Sequence, residues 1–183
     1  FFIQIVREIV FILFLFFLVF YSYTKRFTWL CHYVLGLTIG AAAAGGWIAV
    51  TGSFAPTAYA LWAGVGLWIA GFDILYATQD YTFDRAHGVK SIPARFGIPQ
   101  ALRVARASHL LAWLAFLWAG VSYGAGPLYY LGLLLVGGLL LLEHRLVSPE
   151  DLSKVEVAFF QANVGVSLGM FLFIVLDLLA RGA

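Results

Sequence analysis

Pro56-Thr-Ala-Tyr-Ala-Leu-Trp-Ala-Gly-Val-Gly-Leu-Trp-Ile-Ala-Gly-Phe-Asp-Ile-Leu-Tyr-Ala-Thr-Gln79 is a run of 24 residues with one charged side chain, Asp73. Coiled as a helix it is about 36 Å long, enough to cross a hydrocarbon core of about 30 Å. Working outward, stretches of the same character lie at roughly 1 to 22, 27 to 50, 105 to 123, 127 to 143 and 157 to 179. The first carries Arg7 and Glu8 side by side, which places its boundary less sharply than the others. With 63% hydrophobic, 17% aromatic and 11% charged residues, a chain of this size has too much apolar surface for a soluble core. The fold class is all-α: a multi-pass transmembrane bundle of about six helices, forming a single transmembrane domain over residues 1–183.

The connections carry the orientation. Of eleven Lys and Arg residues, nine fall in alternate connections: Lys25 and Arg26; Arg85, Lys90, Arg95, Arg103 and Arg106; Arg145 and Lys154. The connections near Thr51 to Ala55 and Gly124 to Gly126 carry none. By the positive-inside rule the basic connections are cytoplasmic, and Asp80, Asp84, Glu143, Glu150 and Asp151 share their side. The net charge of +2 is thus a topology signal. No basic patch is free of the membrane, so nucleic acid is not a partner.

From the end of the quoted run to just past it, Asp73, Tyr76, Asp80 and Asp84 form an acidic stripe. If the helix continues, these offsets return to within about 60° of one face, so that three carboxylates converge. Acids at a membrane boundary need cationic compensation, and carboxylates one turn apart together with substrate phosphates are a common way to hold Mg²⁺. The connection from Asp80 to Gln100 is also long for a bundle and holds Gly88, Lys90, Pro93, Gly97 and Pro99. Acids beside Lys90 suit a diphosphate, whose charge needs both metal ligands and direct cationic contacts. Tyr21 and Lys25, one turn apart, stand with Arg26 at the same end of the bundle and can bracket the same anion.

Other residues read as structural. Cys31 and His32 lack the spaced partners of a zinc site and read as packing residues, and a lone cysteine forms no internal disulfide. His87 reads as a solvated loop residue, and His109 and His144 as interfacial. The pairs Gly36/Gly40, Gly120/Gly124 and Gly165/Gly169, with the small face Ala41 to Gly46, predict close helix contacts. Ser148, Pro149, Glu150 and Asp151 predict a helix start with Ser148 as N-cap. Gln161 and Asn163 are expected to hydrogen-bond inside the bundle, and Asp177 to be interfacial.

The run Phe72-Asp-Ile-Leu-Tyr-Ala-Thr-Gln-Asp-Tyr-Thr-Phe-Asp84, with Gly88-Val-Lys-Ser-Ile-Pro-Ala-Arg-Phe-Gly97, resembles the second aspartate-rich motif of the UbiA superfamily of intramembrane aromatic prenyltransferases. Tyr21-Ser-Tyr-Thr-Lys-Arg-Phe-Thr-Trp29 resembles the family's YxxxK element, in its 4-hydroxybenzoate polyprenyltransferase form. The similarity spans about residues 21 to 179 and is specific in those two runs. It implies a cavity open to the lipid bilayer in a bacterial inner (plasma) membrane, binding a polyprenyl diphosphate through Mg²⁺. Asp80 and Asp84 match the metal-binding DxxxD acids, and Asp73 and Tyr76 match polar catalytic positions just inside the cavity. Lys25 and Lys90 match diphosphate-binding positions, with Tyr21 and Arg26 nearby. The resemblance further implies ionisation of the prenyl carbon–oxygen bond to an allylic cation, attack by the ring of an aromatic acid acceptor, and a place in ubiquinone or menaquinone synthesis.

The family has nine spans and two aspartate-rich motifs, whereas this sequence matches the last six spans and the second motif. The chain begins at Phe1 and its single methionine is Met170, so it is expected to be part of a longer protein. Ser91-Ile-Pro-Ala-Arg-Phe-Gly97 and Ser148-Pro-Glu-Asp-Leu-Ser-Lys154 also resemble a bacterial subgroup acting in the futalosine route to menaquinone. The other readings are a transporter with Asp73 as ion relay, an inactive fragment, or a CDP-alcohol phosphotransferase, whose DGxxAR element is absent.

Overall fold

Apolar stretches of this length satisfy their backbone groups by coiling. The computed structural model describes residue 12 and residues 15–182, and every regular element in it is helical. In chain order these are α1 (Leu15–Thr24), α2 (Cys31–Thr51), α3 (Pro56–Tyr76), α4 (Tyr81–His87), α5 (Ile92–Phe96), α6 (Ile98–Tyr123), α7 (Pro127–Leu146) and α8 (Val155–Ala180). Five of them, α2, α3, α6, α7 and α8, are long and apolar enough to cross a membrane. The first expected span, 1 to 22, enters the described residues only as α1, and Arg7 and Glu8 lie outside them.

The distribution of side-chain size is that of a protein in lipid. Leu134, Phe171 and Leu179 are 65–68% exposed, whereas Ala58, Ala70, Ala101, Ala105 and Ala112 are wholly buried. Small residues inside let helix backbones approach, and large ones outside meet hydrocarbon. The chain is an integral membrane protein. α3 is the central element, packed on α2 along one side and α6 along the other, and α7 packs on α8. Gly36 and Gly66 set the α2–α3 distance, since a Cβ at Gly36 would strike the Gly66 carbonyl.

Several expected boundaries move for identifiable reasons. α3 stops at Tyr76, not 79, because Thr78 Oγ1 donates to the Leu75 carbonyl (2.6 Å) and a series of i→i−3 bonds follows from Thr78 to Tyr81. α6 starts at Ile98, seven residues before the expected 105, with Pro99 in its first turn and Arg103 and Arg106 on its exposed face. Ser148 does not start a helix. Its hydroxyl accepts from Asp151 N (3.1 Å), but backbone bonds between Ser148 and Asp151 close a turn, and α8 waits until Val155.

The small-residue pairs divide similarly. Gly165 and Gly169 face Leu139 and Leu135 of α7, as a close helix pair requires, whereas Gly124 is the left-handed cap of α6 (φ +71°) and Gly45 and Gly46 meet nothing. Asn163 accepts from Trp68 Nε1 (3.0 Å), but Gln161 is exposed. Asp177 is only 3% exposed. Its carboxylate accepts from Gly126 N (2.8 Å) and Tyr129 N (3.3 Å) and pairs with Arg181 (3.5 Å), so it serves as the N-terminal cap that α7 lacks in its own sequence.

Candidate active site

The end of α3 and the α4–α5 connection hold the acidic stripe, and the change of helical phase after Tyr76 redistributes it. Asp73 and Tyr76 remain on α3, Asp80 becomes the residue preceding α4, and Asp84 lies one turn into α4. The three carboxylates therefore do not form the single-helix face that continuous coiling predicts. Among the described residues no three His, Cys, Asp or Glu side chains come close enough to hold a metal ion.

Instead, each acid has its own surroundings. Asp73 Oδ2 accepts from His32 Nδ1 (2.7 Å). His32 is fully buried, and its Nε2 accepts from the backbone N–H of Ile92 (3.4 Å). That contact fixes the neutral ring with its proton on Nδ1, aimed at Asp73. Asp84, 3% exposed, accepts from Ser91 Oγ (2.7 Å), and the same oxygen of Ser91 accepts from Ala94 N (3.2 Å) as the N-cap of α5. Asp80 is exposed and makes no side-chain hydrogen bond among the described residues.

The connection between Asp84 and Ile92 is tied down along its length. Gly88 ends α4 in the left-handed conformation (φ +68°), which turns the chain back toward α1 and α2. Lys90 N then donates to Lys25 O (2.8 Å), Lys90 Nζ to Phe27 O (3.3 Å), and the Cys31 thiol to Lys90 O (3.6 Å). Two sequence elements 59 to 65 residues apart, Tyr21 to His32 and Asp84 to Ile92, thus form one knot at the basic end of the bundle. Lys25 and Tyr21 are half-buried within it. Arg26 is exposed, with its guanidinium over the Tyr23 ring (5.3 Å), and is not drawn in. His87 is also exposed, stacked on Phe83 (4.1 Å), and so is solvated as expected, but it ends α4 and is not a loop residue.

Beside the knot lies a polar groove of about 370 Å³ lined by Trp29, Asp84, Arg85, Lys90, Ser91 and Arg95, among others. Three cations to one carboxylate favour an anion there. On the bundle side, Tyr76 packs against Phe159 (4.6 Å), which also meets Phe72 (5.3 Å), and Phe72 meets Trp68 (5.6 Å). Phe159 sits in the five-residue π-helical segment Ala158–Ala162 of α8, a widened turn of a kind found often at functional sites.

Sequence reasoning missed three of these residues. His32 was expected to be a packing residue and is instead the partner of Asp73; its place 41 residues earlier gives no local signal. Ser91 was readable, since a serine followed by Ile-Pro is a helix start. Phe159 carried no signal, because nothing in the local pattern marks a π turn.

This arrangement has known relatives. The pattern of the UbiA prenyltransferase family matches residues 3–174. The chain is 32% identical over 168 residues to a 4-hydroxybenzoate octaprenyltransferase of Nitrosospira multiformis, covering 89% of this chain and 56% of that protein. It is 35% identical over 159 residues to the enzyme of the same name from Methylococcus capsulatus, covering 82% and 52%. A solved apo structure of a UbiA homolog from Aeropyrum pernix K1 superposes with a TM-score of 0.78 at 31% identity, covering 91% of this chain and 62% of that one. The chain spans a little over half the length of the curated relatives it matches. On the match to residues 3–174 and the shared helical fold, the chain belongs to the UbiA prenyltransferase family.

Proposed function

We propose that the protein carrying this chain transfers a polyprenyl group from polyprenyl diphosphate to an aromatic acid such as 4-hydroxybenzoate. The site faces the cytoplasm from a bacterial inner membrane, and the product enters ubiquinone or menaquinone synthesis. The observation that carries this reading is the knot that holds Lys25 against Lys90 through Lys90 N and Lys25 O (2.8 Å), with Asp84 and Lys90 lining one groove. It gathers cations and carboxylates at the mouth of an apolar bundle, where a lipid diphosphate presents its head. The names of the relatives support the acceptor.

In this reaction the bond between the allylic carbon and the diphosphate oxygen breaks. A ring carbon of the acceptor bonds to the allylic carbon, the ring proton is lost, and diphosphate departs. Lys25 and Lys90 bind the diphosphate and take up the charge that moves onto it. The rings of Phe72, Tyr76 and Phe159 give the allylic cation an aromatic wall that excludes water. Asp73, held in one orientation by His32, forms the polar edge of that wall.

Asp80 and Asp84 suit Mg²⁺ in kind. Both are hard oxygen donors, Asp84 lines the cationic groove with Asp80 one turn before it, and this ion takes one or two carboxylates with the rest of its shell from water and phosphate. Bound there, it would neutralise the leaving group. The test is made in the full protein in membranes. Asp80→Ala and Asp84→Ala abolish Mg²⁺-dependent prenyl transfer with the protein still folded, and Lys25→Ala raises KM for the prenyl diphosphate more than for the acceptor. Turnover retained in both aspartate variants would sink the assignment.

A further inference from the structure

Away from this knot, a groove of about 830 Å³ lies between α6 and α7 on the surface of the described residues. Leu110 and Trp113 of α6 and Leu134 and Leu141 of α7 line its length. Arg106, His144 and Arg145 close its basic end. A second groove of about 340 Å³ runs along the other flank of α7, past Leu135 and Leu142. The two share Gly138, Leu141 and Arg145, so that Leu141, 63% exposed, is a ridge with a furrow on each side. Gly138 keeps the furrows open, since a Cβ there would meet no protein atom within 4 Å.

The charge at the basic end is uncompensated. Arg106 and Arg145 are exposed and make no ion pair or hydrogen bond among the described residues. Glu143, the nearest acid in sequence, is fully buried, with Oε2 3.4 Å from His109 Nδ1 and neither oxygen hydrogen-bonded. It turns inward and neutralises neither arginine. His109, 2% exposed, donates from Nε2 to the Trp68 carbonyl (3.2 Å), so its Nδ1 accepts from His144 Nε2 (3.0 Å). The interfacial role expected of His109 is thus replaced by an internal one that holds His144 at the groove.

Length selects the occupant. From Arg145 to Leu134 is eleven residues, about 16 Å along a helix, which matches one leaflet of a core about 30 Å thick. Two furrows that meet at Arg145, with Arg106 lining the larger, fit two acyl chains and one phosphate. We infer that α7 is a binding site for one anionic diacyl phospholipid of the leaflet at the basic end, its phosphate between Arg106 and Arg145 and one chain in each furrow. The site shares no residue with the knot and does not depend on the proposed reaction.

The test is native mass spectrometry of the full protein released from nanodiscs of phosphatidylcholine with phosphatidylglycerol. One phosphatidylglycerol should stay bound, preferred over phosphatidylcholine by about 30-fold on the scale of two basic residues at a membrane surface. Arg106→Gln and Arg145→Gln should each lower that preference about fivefold. Arg103→Gln, on the same end of α6 but bonded to Gln100 (3.3 Å), should not. Gly138→Leu starts from a Cβ in open space at the junction of both furrows and should release the lipid. Equal retention of phosphatidylcholine, retention that survives Gly138→Leu, or displacement by polyprenyl diphosphate would each overturn the inference, the last by giving the groove to the prenyl donor.

Discussion

The His32–Asp73 pair lends itself to a double-mutant cycle, because both partners are well enclosed and their roles as donor and acceptor are fixed. The ring of His32 has no exposed surface, and the Asp73 side chain is 19% exposed. A hydrogen bond to an ionised group contributes about 1.5–3 kcal/mol. His32→Leu also leaves the N–H of buried Ile92 without its acceptor, at a further cost of about 1–3 kcal/mol. The single substitution is therefore expected to cost about 2.5–6 kcal/mol in total. Asp73→Leu strands the Nδ1 proton of His32, and should cost about 1–3 kcal/mol. In the double variant neither charge nor donor of the pair remains, so the losses do not add, and the coupling should be about 1.5–3 kcal/mol, roughly 10- to 150-fold in the unfolding constant. The assay is reversible unfolding in mixed micelles of increasing SDS fraction, followed by far-UV circular dichroism. His32→Gln, which can donate from one amide atom and accept at the other, should recover most of the loss. Additivity within about 0.5 kcal/mol would refute the reasoning, since it would mean the two side chains do not sense each other.

Four further substitutions read other parts of the fold. Asp177→Ala removes the carboxylate that caps α7, and should lower stability in the same assay by about 1–2 kcal/mol. Arg181→Gln should cost less than about 1 kcal/mol, because that partner is 36% exposed. Gly36→Leu forces a side chain into the Gly66 carbonyl and should destabilise by about 1–3 kcal/mol or more, whereas Gly45→Leu, nine residues along the same helix and facing open space, should be nearly neutral.

What the sequence disclosed depended on the range of the interaction involved. Spans were legible because hydrophobicity and length are local and lipid leaves few alternatives to a helix. The motif residues were legible because they stand close together along the chain, as Asp80 and Asp84 or Tyr21 and Lys25 do. The single acidic face failed at Thr78, where one hydroxyl in competition with the helix backbone was enough to change the phase of everything after it. The partner of Asp73 and the cap of α7 were hidden for another reason. His32 lies 41 residues before Asp73, and Asp177 lies 51 residues after Gly126, and neither is the kind of residue that pattern alone separates from a packing or interfacial one.

The bonds of the knot also bear on how the site can move. A connection of some twenty residues at a membrane mouth would ordinarily be a candidate lid. Here its middle is held to the α1–α2 turn through both backbone groups of Lys90, and its end is held to α2 through Ile92 and His32. His32 in turn holds Asp73, so lifting the connection would break the contact that orients an acid on α3. Any opening wide enough to release Lys90 from Lys25 and Phe27 must therefore disturb Lys90 and Asp73 together. On the proposed function, this predicts that substrate exchange avoids the basic end. On that same function, a cross-link between the connection and the α1–α2 turn through a pair of engineered cysteines should then leave turnover of the full protein intact, and a large loss of kcat reversed by reductant would show that the connection has to lift.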